Sequence, residues 1–271
     1  MRISLGTVMR TKVFHKARCC LEEKDLDEKL RLSFRFATEV RDGVLDLNYD
    51  GPEEISVGRP AKPVLVSPAS LSKRGFASEA LRLPMAHAIA HIEFNAINLA
   101  WDAIWRFREM PEDYYRDWAG VAHDETRHFM LLRNYMKQHG SDYGDFDAHD
   151  GLWTMAENTA SDVLDRMAIV PRVLEARGLD VTPAMIEKCH QHGDREMAEI
   201  LGTIYQEEIE HVRIGNRWYS ELCKQRGLEP LSTFLKLLRT YNVADRSSHI
   251  NDQGRKLAGF SSEELDAIRS L

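Results

Sequence analysis

The stretch WAGVAHDETRHFMLL, residues 118–132, decides how this chain is read, and LGTIYQEEIEHVRIG, residues 201–215, repeats its pattern. Each holds a Glu-x-x-His pair, Glu125 with His128 and Glu208 with His211. Residues three or four apart share one face of an α-helix, so such a pair brings a carboxylate and an imidazole to one point. The motif alone is weak, because chance supplies about one match in a chain of this composition. A third match, Glu187 with His190, sits on a short, mostly polar segment and reads as such an accident. The surroundings set the first two apart. Trp118, Val121, Ala122, Phe129 and Leu132 share the face of Glu125 and His128; Leu201, Ile204, Tyr205, Val212 and Gly215 share that of Glu208 and His211. Ionisable groups in the middle of an apolar stripe face a core, where a charge without a partner is costly.

Two further stripes each offer an acid. Glu93 is the only acid on a face made of Ala86, Ile89, Ala90, Ala96, Ile97, Ala100 and Ile104, and Glu175 lies among Leu164, Ala168, Pro171 and Leu179. Glu93 and Glu125 are thirty-two residues apart, Glu175 and Glu208 thirty-three, a near-repeat that suggests two similar helix pairs. Punctuation brackets four long helices: from Pro84 to Arg108, from Pro111 to just before Gly140, from Leu152 to Arg177 with Gly178 beyond, and from Asp194 to Arg226 before Gly227. A short helix is expected between Thr182-Pro183 and Gly193. Helices of roughly 25–33 residues, about 37–50 Å long, need neighbours alongside. The expected fold is therefore all-α, a four-helix bundle over residues 81–227. Before it, residues 1–80 supply a helix at 16–42 and an irregular connector at 49–78 rich in proline and glycine. After it, residues 228–271 form a helical extension whose amphipathic stretch Phe234 to Tyr241 packs outside, the whole making one compact domain.

A Glu from each of two helices plus Glu-x-x-His from each of two others is the carboxylate-bridged dimetal arrangement. Four buried carboxylates would repel one another and lose hydration; two divalent cations remove both problems. The metal ligands expected on this reading are Glu93, Glu125, His128, Glu175, Glu208 and His211. Oxygen and imidazole donors without thiolates suit iron, with manganese as the alternative. Asp124 and Glu207 are expected to bond the far nitrogens of the ligand histidines. Tyr205, one turn before Glu208, either lines a substrate cavity, carries electrons or packs in the core. His87 and His91 are four apart, but His91 points roughly 160° away from Glu93 around the helix, so both read as structural or supporting. The plainer alternative makes each Glu-x-x-His an internal ion pair, bonds Glu93 to a core partner, and lets Glu175 reach Arg172 or Arg177 from a helix end.

Composition narrows the field. Hydrophobic residues make up 43% and charged residues 29%, an ordinary globular balance. A formal charge of −7 disfavours a nucleic-acid partner, which would want a basic face. Cys19, Cys20, Cys189 and Cys223 form no C-x-x-C pair, so reduced thiols in a cytoplasm are the simplest reading. No span approaches the roughly 20 apolar residues of a transmembrane helix.

At the ligand residues the sequence resembles the ferritin-like di-iron carboxylate superfamily. DETRH at 124–128 is similar to its D-E-x-R-H signature, in which the Asp orients a ligand histidine; in EEIEH at 207–211, Glu207 stands for the Asp and Glu210 for the Arg. HAIAHIEFNAINLAWDAIWRF at 87–107, VPRVLEARGLD at 170–180, IGNRWY at 214–219, VGRPAKPVLVSP at 57–68 and NDQGRKLAGF at 251–260 look like a bacterial ferritin-like family of unknown function. LDRMAIVPRVLEARG at 164–178 is also similar to the third-helix segment of tRNA-modifying di-iron monooxygenases. That match makes Glu175 the preferred third-helix ligand over Glu157, Asp162 and Asp165, although Gly178 and Thr182-Pro183 depart from a continuous helix.

The resemblance implies a ferritin-like bundle and an oxygen-activating oxidase or hydroxylase, with dioxygen and a small molecule as substrates. A tRNA substrate is disfavoured by the charge. The alternatives are a ferroxidase or peroxide-detoxifying protein without an organic substrate, and a non-catalytic, metal-stabilised helical interaction module.

Overall fold

A computed structural model describes residues 10–243 and 250–270 of the chain. It is all-α, as the periodicity requires. Among the described residues, strand is limited to the parallel two-residue pair β1 (Thr11–Lys12) and β2 (Leu45–Asp46) and a bridge between Leu65 and Ala148. No described helix is long and apolar enough to cross a membrane. The chain divides into two compact units, Met1–Ala61 with Glu93–Arg127, and Lys62–Ile92 with His128–Leu271. Two long helices, α3 (Glu79–Arg106) and α4 (Glu112–Gln138), contribute to each. Helix α3 begins five residues before the expected start, so Pro84 lies inside it.

In the first unit the single helix expected over 16–42 is two, α1 (Val13–Glu22) and α2 (Leu26–Asp42). The break is local chemistry. Glu23 turns its backbone to an extended conformation and its carboxylate accepts the N–H groups of Lys24 and Asp25. Asp25 then caps α2 by accepting from the Glu28 N–H at 2.9 Å. Lys29 is fully buried and donates to the Cys20 and Leu21 carbonyls, 2.7 and 3.2 Å, and to Asn98 Oδ1, 2.8 Å. Its ammonium thus supplies both the missing donors and the positive charge that a helix C-terminus lacks. Burial lowers its pKa to about 8. The 93–106 stretch of α3 and the 112–127 stretch of α4 are tied to α2 through Ser33, whose hydroxyl receives the Trp101 indole N–H at 2.8 Å and the Thr126 hydroxyl at 2.9 Å.

The second unit holds α5 (Gly151–Asn158), α6 (Val163–Ile169), a π-helical segment (Val170–Glu175), α7 (Ala176–Gln191), α8 (Arg195–Gln225), α9 (Pro230–Thr240), α10 (Asp252–Leu257) and α11 (Ser262–Arg269). Here the expectations need correction. The helix expected from Leu152 to Arg177 is interrupted at residues 159–162, where Asp162 caps α6 by accepting from the Leu164 N–H. Gly178 is not a stop either, and no separate helix starts at Thr182-Pro183: α7 runs through both. Pro183 has no N–H to bond the carbonyl four residues earlier, that of Leu179. The side-chain amide of Asn251 donates to that carbonyl instead, at 3.0 Å. Pro171 sits similarly in the π segment, where the Ala176 N–H bonds the Pro171 carbonyl five residues back. Widening the turn is a recognised way to accommodate a proline and to alter the register of a helix. Helix α8 follows its expected bounds, with Asp194 accepting from the Met197 N–H at its start and Gly227 at φ +65° after its end.

The 79–92 stretch of α3 carries His87, which is fully buried. Its Nε2 accepts the Gly144 N–H at 2.9 Å and its ring stacks on Tyr143, centroids 5.2 Å apart. Burial lowers its pKa from 6.5 to about 4. The unfolded chain therefore takes up a proton as pH falls from about 6.5 towards 4 while the folded chain does not. Stability is complete above that window and falls through it, by roughly 3 kcal/mol at its lower end. Urea unfolding across pH 4–7 should show a shallower slope for His87→Gln than for the native chain. Parallel slopes would remove His87 as the cause.

Candidate metal centre

Helix α3 delivers Glu93, α4 delivers Glu125 and His128 one turn apart, and α8 delivers Glu208 and His211 likewise. Glu93, Glu125, His128 and Glu208 each offer one ligand atom, and these atoms all lie within 4.8 Å of one another. Glu93 is 5% exposed, Glu125 1% and His128 0%. Three carboxylates and an imidazole brought together with so little water are an unfavourable arrangement for anions alone and a favourable one for a cation. The donors are hard oxygens and nitrogen, with no thiol among them.

The histidine geometry is specific. His128 Nδ1 lies 3.8 Å and His211 Nδ1 3.4 Å from the same atom, Glu208 Oε1, and the two rings are 5.8 Å apart. On its far side, His128 donates from Nε2 to Glu207 Oε2 at 2.7 Å. A carboxylate acceptor there fixes the proton on Nε2 and leaves the Nδ1 lone pair facing Glu208. Glu207 meets the histidine of the other helix, a pairing across α4 and α8 that sequence neighbours alone do not reveal.

The remaining candidates are placed as follows. Glu175 closes the π segment, half-buried, and does not belong to the group of four. Asp124 Oδ1 is 3.3 Å from His123 Nδ1 and 3.6 Å from an Arg127 nitrogen. Tyr205 receives the Asn251 side-chain amide on its hydroxyl at 2.9 Å. His91 Nδ1 is 2.8 Å from the Tyr143 hydroxyl. Of the substitutes for Glu175, Asp162 pairs with Arg226 at 2.7 Å, Asp165 receives the Tyr241 hydroxyl at 2.5 Å, and Glu157 receives the Trp153 indole N–H at 3.0 Å. Sequence reasoning missed Asn251 and Arg255, which reach the α7 and α8 helices from the C-terminal segment. The proline inside α7 was the available signal, since the carbonyl it releases calls for an outside donor.

Fold and site together define a helical protein with a buried carboxylate–histidine group able to hold a metal ion. Residues 22–266 match the family described as protein of unknown function DUF455, and the chain belongs to it. A relative from Haemophilus influenzae, named only as an uncharacterized protein, is 42% identical over 97% of this chain and 95% of its own length. No solved structure matches.

Proposed function

We propose that the chain is a ferritin-like dimetal carboxylate protein that binds two iron ions, with manganese as the alternative, through Glu93, Glu125, His128, Glu175, Glu208 and His211. The convergence of Glu93, Glu125, His128 and Glu208 carries this reading. His211 joins through its 3.4 Å approach to the shared Glu208 oxygen. Glu175 joins as the half-buried acid at the end of the π segment, a kind of helix irregularity frequent at functional sites. Glu207 and Asp124 take supporting roles, Glu207 by holding the His128 proton on Nε2.

In this reading the activity is that of an oxidase or hydroxylase acting on a small molecule in the cytoplasm. Bound iron would supply the electrons that reduce dioxygen. The protein's part is to present its carboxylates and imidazoles in fixed geometry and to keep bulk water from the centre. The segments outside the long helices favour an organic substrate over simple iron storage, because iron handling alone needs little beyond four helices.

Anaerobic Fe(II) loading followed by air tests this. About two irons per chain and their rapid oxidation on admission of air are expected. Oxidation that continues past two irons per chain with no substrate would point to a ferroxidase. Absence of iron binding would leave a helical interaction module and end the dimetal reading.

A further inference from the structure

A second set of buried polar contacts in the same unit belongs to the C-terminal segment rather than to the centre. On α7, the Asn251 N–H donates to Asp180 Oδ1 at 2.9 Å and the Asn251 side chain to the Leu179 carbonyl at 3.0 Å. Arg255 grips Asp180 with two nitrogens, 3.0 and 2.5 Å, both side chains being excluded from solvent. On the π segment, Arg172 donates to Glu264 at 2.5 Å and its guanidinium lies 5.0 Å from the Phe260 ring. On α8, Tyr205 receives Asn251, Arg213 donates to the Leu257 carbonyl at 3.2 Å, and Asn216 donates to the Ala258 carbonyl at 2.6 Å.

These anchors bracket the candidate ligands in sequence. Arg172 and Asp180 flank Glu175; Tyr205 and Arg213 flank Glu208 and His211. The helix around Glu175 also most needs outside support. Its π segment departs from the regular ladder on one side, and Pro183 releases the Leu179 carbonyl on the other. We infer that residues 251–264 are a clamp that fixes the spacing of Glu175 against Glu208 and His211, with Arg255 and Glu264 as positioning residues. The inference rests on the proposed reading of those three residues as ligands. Coupling of this kind is reciprocal: whatever the docked segment adds to metal affinity, bound metal returns as tighter docking.

The test uses the full chain with Mn(II) alone under argon, read by metal titration and by amide exchange over residues 251–264. Loading the native chain should slow exchange in that segment about tenfold, and Glu175→Gln should abolish the slowing. Pairing Arg255→Met with Asp180→Leu removes both charges without leaving one buried alone, so the helices should persist in circular dichroism. This double variant should bind the weaker-held ion roughly tenfold less tightly and recover full occupancy at higher Mn(II). Native chain that binds Mn(II) without any change in exchange overturns the clamp, as does a folded double variant with unchanged affinity. Should the double variant fail to fold, the native exchange decides. Native chain that binds no Mn(II) overturns the dimetal reading, and the clamp with it.

Discussion

Replacing Glu125 by glutamine is expected to abolish metal-dependent stabilisation while leaving the metal-free protein as stable as before or more so. The carboxylate is 1% exposed and within 4.8 Å of ligand atoms on two other carboxylates. Glutamine keeps its shape and removes one charge from a crowded anionic group, which without metal relieves repulsion and desolvation. A ligand present at a thousandfold its dissociation constant stabilises the folded state by about 4 kcal/mol. At about 2–4 °C per kcal/mol, the native chain should melt roughly 10 °C higher when loaded, and Glu125→Gln should not. Melting curves with and without Fe(II) under argon settle the matter. A full metal-dependent rise in the variant would remove Glu125 from the ligand set.

The second large effect is expected at Gly215, where alanine should destabilise by about 1–3 kcal/mol. Exchanging glycine for alanine inside a helix ordinarily stabilises it by nearly 1 kcal/mol. At Gly215 a Cβ would stand 2.3 Å from Pro171 Cβ and 2.4 Å from Pro171 Cγ, too close for either helix to stay in place. Gly202 on the same helix provides the control, since a Cβ there meets nothing within 4 Å. Gly202→Ala should raise the melting temperature slightly and Gly215→Ala should lower it by several degrees. Equal shifts would mean that α8 and the π segment can separate freely.

Much of this was legible in the sequence. The apolar stripes around Glu93, Glu125 and Glu208 depend only on helical periodicity, and all three carboxylates meet in one group. Helix α8 keeps its expected bounds because Asp194 and Gly227 are local signals that act within a turn of themselves. What failed was the reading of interruptions. Gly178 and Pro183 look like stops because, taken locally, each weakens a helix. Helix α7 runs through both, and at Pro183 Asn251, about seventy residues later in the chain, supplies the donor that the helix cannot. The break at Asp25 was missed for the opposite reason: an acid-rich stretch fits an exposed helical face as well as a cap, and only the fold distinguishes them. Glu207 is expected from the sequence to bond the far nitrogen of a ligand histidine; that this histidine is His128, on another helix, leaves no local trace.

The π segment also sets the rotational phase of everything that follows it. Each residue turns an α-helix by about 100°, so one residue more or fewer between Val170 and Glu175 would swing the downstream half by more than a quarter turn. Asp180 would then face away from Arg255, and the Leu179 carbonyl away from Asn251. The length of this six-residue segment is thus constrained separately from the identity of its side chains: an insertion or deletion anywhere in it would turn α7 out of alignment.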